Sequence, residues 1–140
     1  MKSRFDPPAD RDVLVLDLAI RPEDIDTNGH VNNVVYVRWL QDAGTAHWMA
    51  RASMAEIERW TWVALRHEID YRLPLRLGDG ARARTWVGTP TGARFDRFVL
   101  IERADGKVCA QGRTDWALVD PKTMKPARIT DAMVKPFLRH

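Results

Sequence analysis

One segment of this chain, from about Asn33 to Ala52, keeps a helical period over a long span. At 100° per residue Val35, Trp39, Ala43, Ala46 and Ala50 share a stripe, widened by Tyr36 and Leu40. Arg38, Gln41, Asp42 and Thr45 fall on the opposite side. Three alanines in the stripe let such a helix lie close against a sheet. A single amphipathic helix cannot cover two sheets, but it can fill the concave face of one curved sheet.

The remaining segments supply the sheet. Val13–Ile20 is β-rich and bounded by Pro22, with Leu14, Leu16, Leu18 and Ile20 on one face. From Thr61 to Leu75 the period is two: Val63, Leu65, His67, Ile69, Tyr71 and Leu73 form one face, and Pro74 with the Gly78–Gly80 turn closes the strand. Ala81–Gly88 and Arg94–Glu102 read as two strands joined by residues 89–93, and Ala104-Asp-Gly106 turns into Lys107–Val119. Thr130–Leu138 is expected to be a short terminal helix capped by Thr130. Strands linked by short turns pair antiparallel. The expectation is one domain over residues 1–140, of class α+β, with residues 1–10 a flexible leader.

Composition narrows the chemistry. The single cysteine, Cys109, excludes an internal disulfide, and it reads as a residue on the polar face of its strand. Only Ser3 and Ser53 are serines, and no Gly-x-Ser-x-Gly turn is present. No Gly-rich phosphate loop occurs, and His30, His47, His67 and His140 lack metal-ligand spacing, so neither a cofactor nor a metal is expected. His47 and His67 fall on or beside apolar faces and read as structural. The net charge of +3 includes no basic run of the kind that binds nucleic acid. No apolar stretch approaches the roughly 18 residues of a membrane span, and residues 1–10 lack a signal-peptide run. A cytoplasmic, soluble protein is expected, with no nucleic-acid or membrane partner.

Reactive groups concentrate instead in Asp24-Ile-Asp-Thr-Asn-Gly-His-Val-Asn-Asn33, where a loop turns into the helix. Asp26 precedes the helix start, with Asn28 and His30 at alternate positions and Asn32 or Asn33 as N-cap. First-turn N–H groups lack internal partners and have partial positive charge, so they can bind the oxygen of a polarised carbonyl. Asp26 could activate water or attack directly. So sparse a site suits a thioester, because a thiol with pKa near about 8.5 leaves as thiolate without a general acid. Asp24 reads as a turn or strand-end residue, and Tyr36 and Trp39 as core or pocket wall.

The stretch Asp24 to Tyr36, Asp-x-Asp-x-x-Gly-His-Val-Asn-Asn-x-x-Tyr, resembles the signature of hotdog-fold acyl thioesterases of the 4-hydroxybenzoyl-CoA thioesterase type. Asp26 to Asn33 is also similar to the catalytic stretch of plant acyl-ACP thioesterases. The strand from Thr61 to Leu75 and the tail from Trp116 to Pro126 are similar to that family's second and last strands. The likeness spans about Val13 to Phe137.

The resemblance implies a hotdog fold: a curved antiparallel five-stranded sheet wrapped around one long central helix. It implies hydrolysis of an acyl-CoA to free acid and CoA, with Asp26 as nucleophile or general base and the backbone N–H of Asn33 polarising the carbonyl. Asn28 and His30 match a polar pair of the plant enzymes. The plant enzymes' acidic residue and cysteine after the second strand have no counterpart in Arg72-Leu-Pro-Leu75. The resemblance also implies a homodimer or homotetramer with interfacial active sites. An acyl-ACP substrate, or a non-catalytic acyl-CoA-binding module, is the alternative reading.

Overall fold

The computed structural model describes residues 3–139. Five strands, β1 (Leu14–Leu18), β2 (Thr61–Tyr71), β3 (Ala81–Thr91), β4 (Arg94–Arg103) and β5 (Val108–Val119), form one sheet in the order β1-β3-β4-β5-β2. Every neighbouring pair is antiparallel. The helix α1 (Asn33–Arg51) packs on the inner face of this sheet, which wraps it as the hotdog architecture requires.

Close approach makes this packing possible. A Cβ added to Gly112 of β5 would stand 2.5 Å from a methyl of Leu40, which is fully buried. At Gly44 an added Cβ would meet the side chains of Arg97 and Trp116 at 3.3 Å. A glycine on each surface therefore lets helix and sheet come together. The buried stripe of α1 is Val35, Tyr36, Trp39, Leu40, Ala43, Gly44 and His47. It departs from the expected stripe at its end, where Ala50 is exposed and His47 is buried instead. The first core cluster joins that stripe to Ala83, Val99, Ile101 and Ala110 of three strands.

Three sequence expectations are corrected. First, β2 does not keep one face along its length. The pairing with β5 shifts between Ala64 and Arg66, so Leu65 bulges outward, exposed. Beyond the bulge His67 and Ile69 sit opposite Thr114 and Gly112, whereas before it Trp62, opposite Leu118, joins the core cluster in place of Val63. Second, Cys109 lies at another irregularity, where Ile101 pairs with Ala110 but Glu102 pairs with Val108. The extra residue brings its side chain into the core, where burial raises the thiol pKa. Third, the leader is tied down at Phe5, which is buried on the outer face of the sheet, edge-on to Phe98 and beside Trp86. A six-residue helix, α2 (Met54–Arg59), capped by Ser53, was not anticipated. The terminal segment forms α3 (Asp131–Val134), capped by Thr130 as expected, followed by a single 3-10 turn.

A polar network runs through the core under α1. Arg97 Nη1 lies 2.8 Å from His47 Nδ1 and 3.0 Å from Thr85 Oγ1, and His47 Nε2 lies 2.7 Å from Asp12 Oδ2. A guanidinium only donates, so Nδ1 must accept and Nε2 holds the proton that it donates to Asp12. Arg51 also donates to Asp12, at 2.9 Å. Burial, followed by the neighbouring Arg97 charge, lowers the His47 pKa to about 4. An unfolded histidine titrates near 6.5, so this contribution to stability is complete above that pH and is lost as pH falls through 4. Between pH 7 and pH 4 we expect a loss of about 3 kcal/mol from this residue. Denaturant unfolding across that range should show a flatter profile for His47→Gln, which keeps a donor and an acceptor but does not titrate. An unchanged slope would remove His47 from the acid response.

Candidate active site

The loop before α1 is built by backbone chemistry around two aspartates with different tasks. A 3-10 turn at Pro22–Asp24 leads into a small hairpin in which Ile25 and Val31 form an antiparallel bridge. At its tip the Asp26 N–H donates to the His30 carbonyl at 2.8 Å, and the Gly29 N–H donates to the Asp26 carbonyl at 3.0 Å. Gly29 has φ +78°, a left-handed conformation that costs glycine little. Val31 N–H then donates to Leu75 at 2.8 Å and Asn32 N–H to the Asp24 carbonyl at 2.8 Å, which ties the loop to the exit of β2 and to its own start.

Asp24 is the anchor. Its carboxylate is 2% exposed and accepts from Arg21 N–H at 3.0 Å and from both terminal nitrogens of Arg38 at 3.2–3.3 Å. Arg38 reaches back from the second turn of α1, so this pair fixes the loop against the helix. The expectation of a turn residue is met, with an ion pair in addition.

Asp26 is held differently. Its Oδ1 accepts from Asn28 N–H at 2.9 Å and, more weakly, from His30 N–H at 3.4 Å. Its Oδ2 has no hydrogen-bond partner among the described residues. One oxygen is thus fixed by an Asx turn, and the other is left for chemistry. Asn32 is the N-cap of α1, with its Oδ1 accepting from Val34 N–H at 3.1 Å, and Asn33 is the first helical residue. The Asn33 N–H is one of the first-turn donors that a helix cannot satisfy itself.

All four sequence-predicted site residues, Asp26, Asn28, His30 and Asn33, line one open cavity of about 350 Å³. Tyr36 lines it too, consistent with a pocket wall, and burial pushes its hydroxyl up to about 12, so it stays neutral. Tyr71 and Arg72 complete the opposite wall and were not anticipated. Tyr71 donates its hydroxyl to the Asn33 carbonyl at 3.0 Å, and Arg72 and Leu73 N–H groups both donate to Cys109 O. The only available signal was their position where β2 runs into Pro74.

His47 and His67 do not line this cavity. His67 Nδ1 is 2.8 Å from Thr114 Oγ1 and its pKa is lowered by burial. His140 lies outside the described residues. No group of three or more candidate metal ligands occurs among the described residues. No helix among them is long and apolar enough to cross a membrane.

Fold and site together define an α+β hotdog domain with a carboxylate at the N-terminus of its central helix. The chain belongs to the thioesterase-like superfamily, whose family model matches residues 20–137. Among solved structures it is similar to a thioesterase from Thermus thermophilus complexed with coenzyme A and zinc, at TM-score 0.78 and 23% identity over 93% of this chain and 94% of that one. It is similar to a predicted thioesterase from Bacillus stearothermophilus, at TM-score 0.80 and 21% identity over 90% and 94% of the two chains. It also resembles an acyl-ACP thioesterase from Bacteroides thetaiotaomicron, at TM-score 0.79 and 23% identity, covering 91% of this chain and 54% of that one. At these identities the likeness is one of fold. A search of curated protein sequences finds no match. Family membership supports thioester hydrolysis as the general reaction.

The anchoring role of Asp24 is open to direct test. Arg38→Met would leave its buried carboxylate with the Arg21 N–H alone. We expect a loss of about 1–3 kcal/mol, since the departing partner leaves a buried charge under-satisfied. Thermal unfolding measures the loss, and hydrogen exchange at Val31 and Asn32 should accelerate. Exchange as slow as in the parent would show that the loop is held without Arg38.

Proposed function

We propose that this protein hydrolyses an acyl-CoA thioester to the free carboxylic acid and CoA. The observation that supports this best is the pairing, in one cavity, of an Asp26 carboxylate oxygen left without a partner and the unsatisfied N–H end of α1 at Asn33. The carbonyl oxygen accepts from the Asn33 N–H, which stabilises the charge that develops as the carbon becomes tetrahedral. Asp26 either takes the proton of an attacking water or attacks the carbonyl itself. The C–S bond then breaks, and CoA departs as thiolate with no acid needed at sulfur; if Asp26 itself attacked, water then hydrolyses the resulting acyl anhydride to release the acid and restore the carboxylate. Asn28 and His30 orient water or substrate at the mouth. CoA as carrier agrees with the CoA complex of the Thermus relative. An acyl-ACP carrier is the alternative that the Bacteroides relative raises, and rates on one acyl chain borne by each carrier separate the two. The exposed apolar side chains Tyr71, Leu73 and Leu77 around the exit of β2 favour a homodimer or homotetramer that completes the cavity.

Asp26→Asn should lower thiol release from a generic acyl-CoA by at least about 100-fold, as expected for an essential base. Near-parental release from that folded variant would sink the assignment. Binding of acyl-CoA by the parent protein with no thiol release over hours would replace hydrolysis by a binding role.

The oxyanion role of Asn33 rests on its backbone, and two substitutions separate backbone from side chain. Asn33→Ala keeps the N–H and should stay within a few-fold of the parent. Asn33→Pro removes it at a position where proline is well tolerated, because Asn32 is already extended with ψ 138°. Thiol release should then drop by about 100-fold, the usual effect of losing one oxyanion donor. Equal rates for the two variants would exclude the N–H as donor.

A further inference from the structure

At the other end of α1 lies a second cavity, of about 250 Å³, that shares no lining residue with the first. Trp48 stands about 22 Å along the helix axis from Asn33, at about 1.5 Å for each of fifteen residues. The walls are largely aromatic and include Trp48, Trp62, Phe95 and Trp116. Trp48 and Trp62 meet edge to face, with centroids 5.4 Å apart. The cation set in this wall is Arg97.

Arg97 is 7% exposed. Its Nη1 is used by His47 and Thr85, but Nε and Nη2 have no hydrogen-bond partner, and no carboxylate lies within ion-pair distance of the guanidinium, among the described residues. Asp96, its neighbour in β4, turns its carboxylate to Thr89 N–H and Arg113. Asp12 reaches Arg97 only through the neutral His47, and it also pairs with Arg51. The cluster of Asp12, Arg51 and Arg97 therefore has one positive charge in excess. Burial lowers the Arg97 pKa to about 10, which leaves it charged at neutral pH. A largely buried cation whose two unused donor nitrogens meet only solvent gains when an anion takes their place, and a guanidinium edge presents parallel N–H groups that match a carboxylate.

We propose that this cavity is a binding site for a small apolar carboxylate, whose two oxygens accept from Arg97 Nε and Nη2 while its body lies among the tryptophan rings. The chemistry is that of a compact aromatic or branched acid. Such a carboxylate arrives as a free acid, because a compact acid cannot span the distance between this cavity and the one at Asn33.

Phenylacetate and its neutral isostere phenylacetamide are suitable probes, followed by tryptophan fluorescence and calorimetry on the full chain. Phenylacetate should bind saturably and phenylacetamide at least about tenfold more weakly, since the neutral amide leaves the buried cation unpaired. Arg97→Gln should abolish that discrimination. Because Arg97 also braces His47, that variant could fail to fold. Thr45→Trp, at an exposed cavity-lining position of α1, narrows the mouth without touching Arg97 and should remove binding of both probes. Equal affinity for acid and amide, binding that survives Thr45→Trp, or no saturable binding by the parent up to about 10 mM, a weak-fragment range, would each overturn the proposal. Neither probe is a thioester, so failure of the proposed hydrolysis leaves the binding result intact.

Discussion

The contact between Leu40 and Gly112 sets the distance between helix and sheet, and most of the molecule depends on that distance. A methyl of Leu40 fills the space where any other residue of β5 would have its Cβ. Because α1 sits this low, its first turn meets the exit of β2, and the Tyr71 hydroxyl can reach the Asn33 carbonyl. The hairpin at Ile25–Val31 is then caught between the Leu75 carbonyl and the Asp24–Arg38 pair. Raising the helix by a methyl group would move the N–H end of α1 away from the loop that holds Asp26. Packing in the middle of the sheet thus determines geometry at its edge.

Two carboxylates in three residues illustrate how environment assigns roles. Asp24 and Asp26 share a loop and a residue type, yet one is sealed and doubly bonded to an arginine while the other keeps an oxygen without a partner. The first is used up by structure. Only the second keeps an oxygen without a partner among the described residues, which is the physical reason to separate a scaffold acid from the one proposed to react.

Much of this was legible in the sequence. The order of elements, the start of α1 and the gathering of Asp26, Asn28, His30 and Asn33 follow from periodicity, capping chemistry and local spacing, all of which act over a few residues. What stayed hidden depends on distant partners. The bulge at Leu65 leaves no mark in an alternating strand, because it is defined by the register of β5 opposite. The same holds for Cys109, whose side follows from the pairing of Glu102 with Val108. The helix α2 is a single turn and a half, shorter than any hydrophobic period can reveal. Phe5 is one aromatic in a proline-flanked leader, and nothing local indicates that Trp86 and Phe98 await it. Arg97 looked like one more strand arginine until its neighbours closed over it.

The bulge at Leu65 has a further consequence. An alternating strand has a single phase, so its two ends ordinarily address the same side with the same set of positions. One inserted residue breaks that bond: upstream positions contribute Trp62 to the aromatic chamber, while downstream positions of the opposite parity bring Ile69 and Tyr71 toward the carboxylate site. Deleting or adding one residue upstream would rotate that half of the strand outward and leave the downstream half in register. A strand divided by one bulge can thus change its chamber lining without disturbing the wall it gives to the carboxylate cavity.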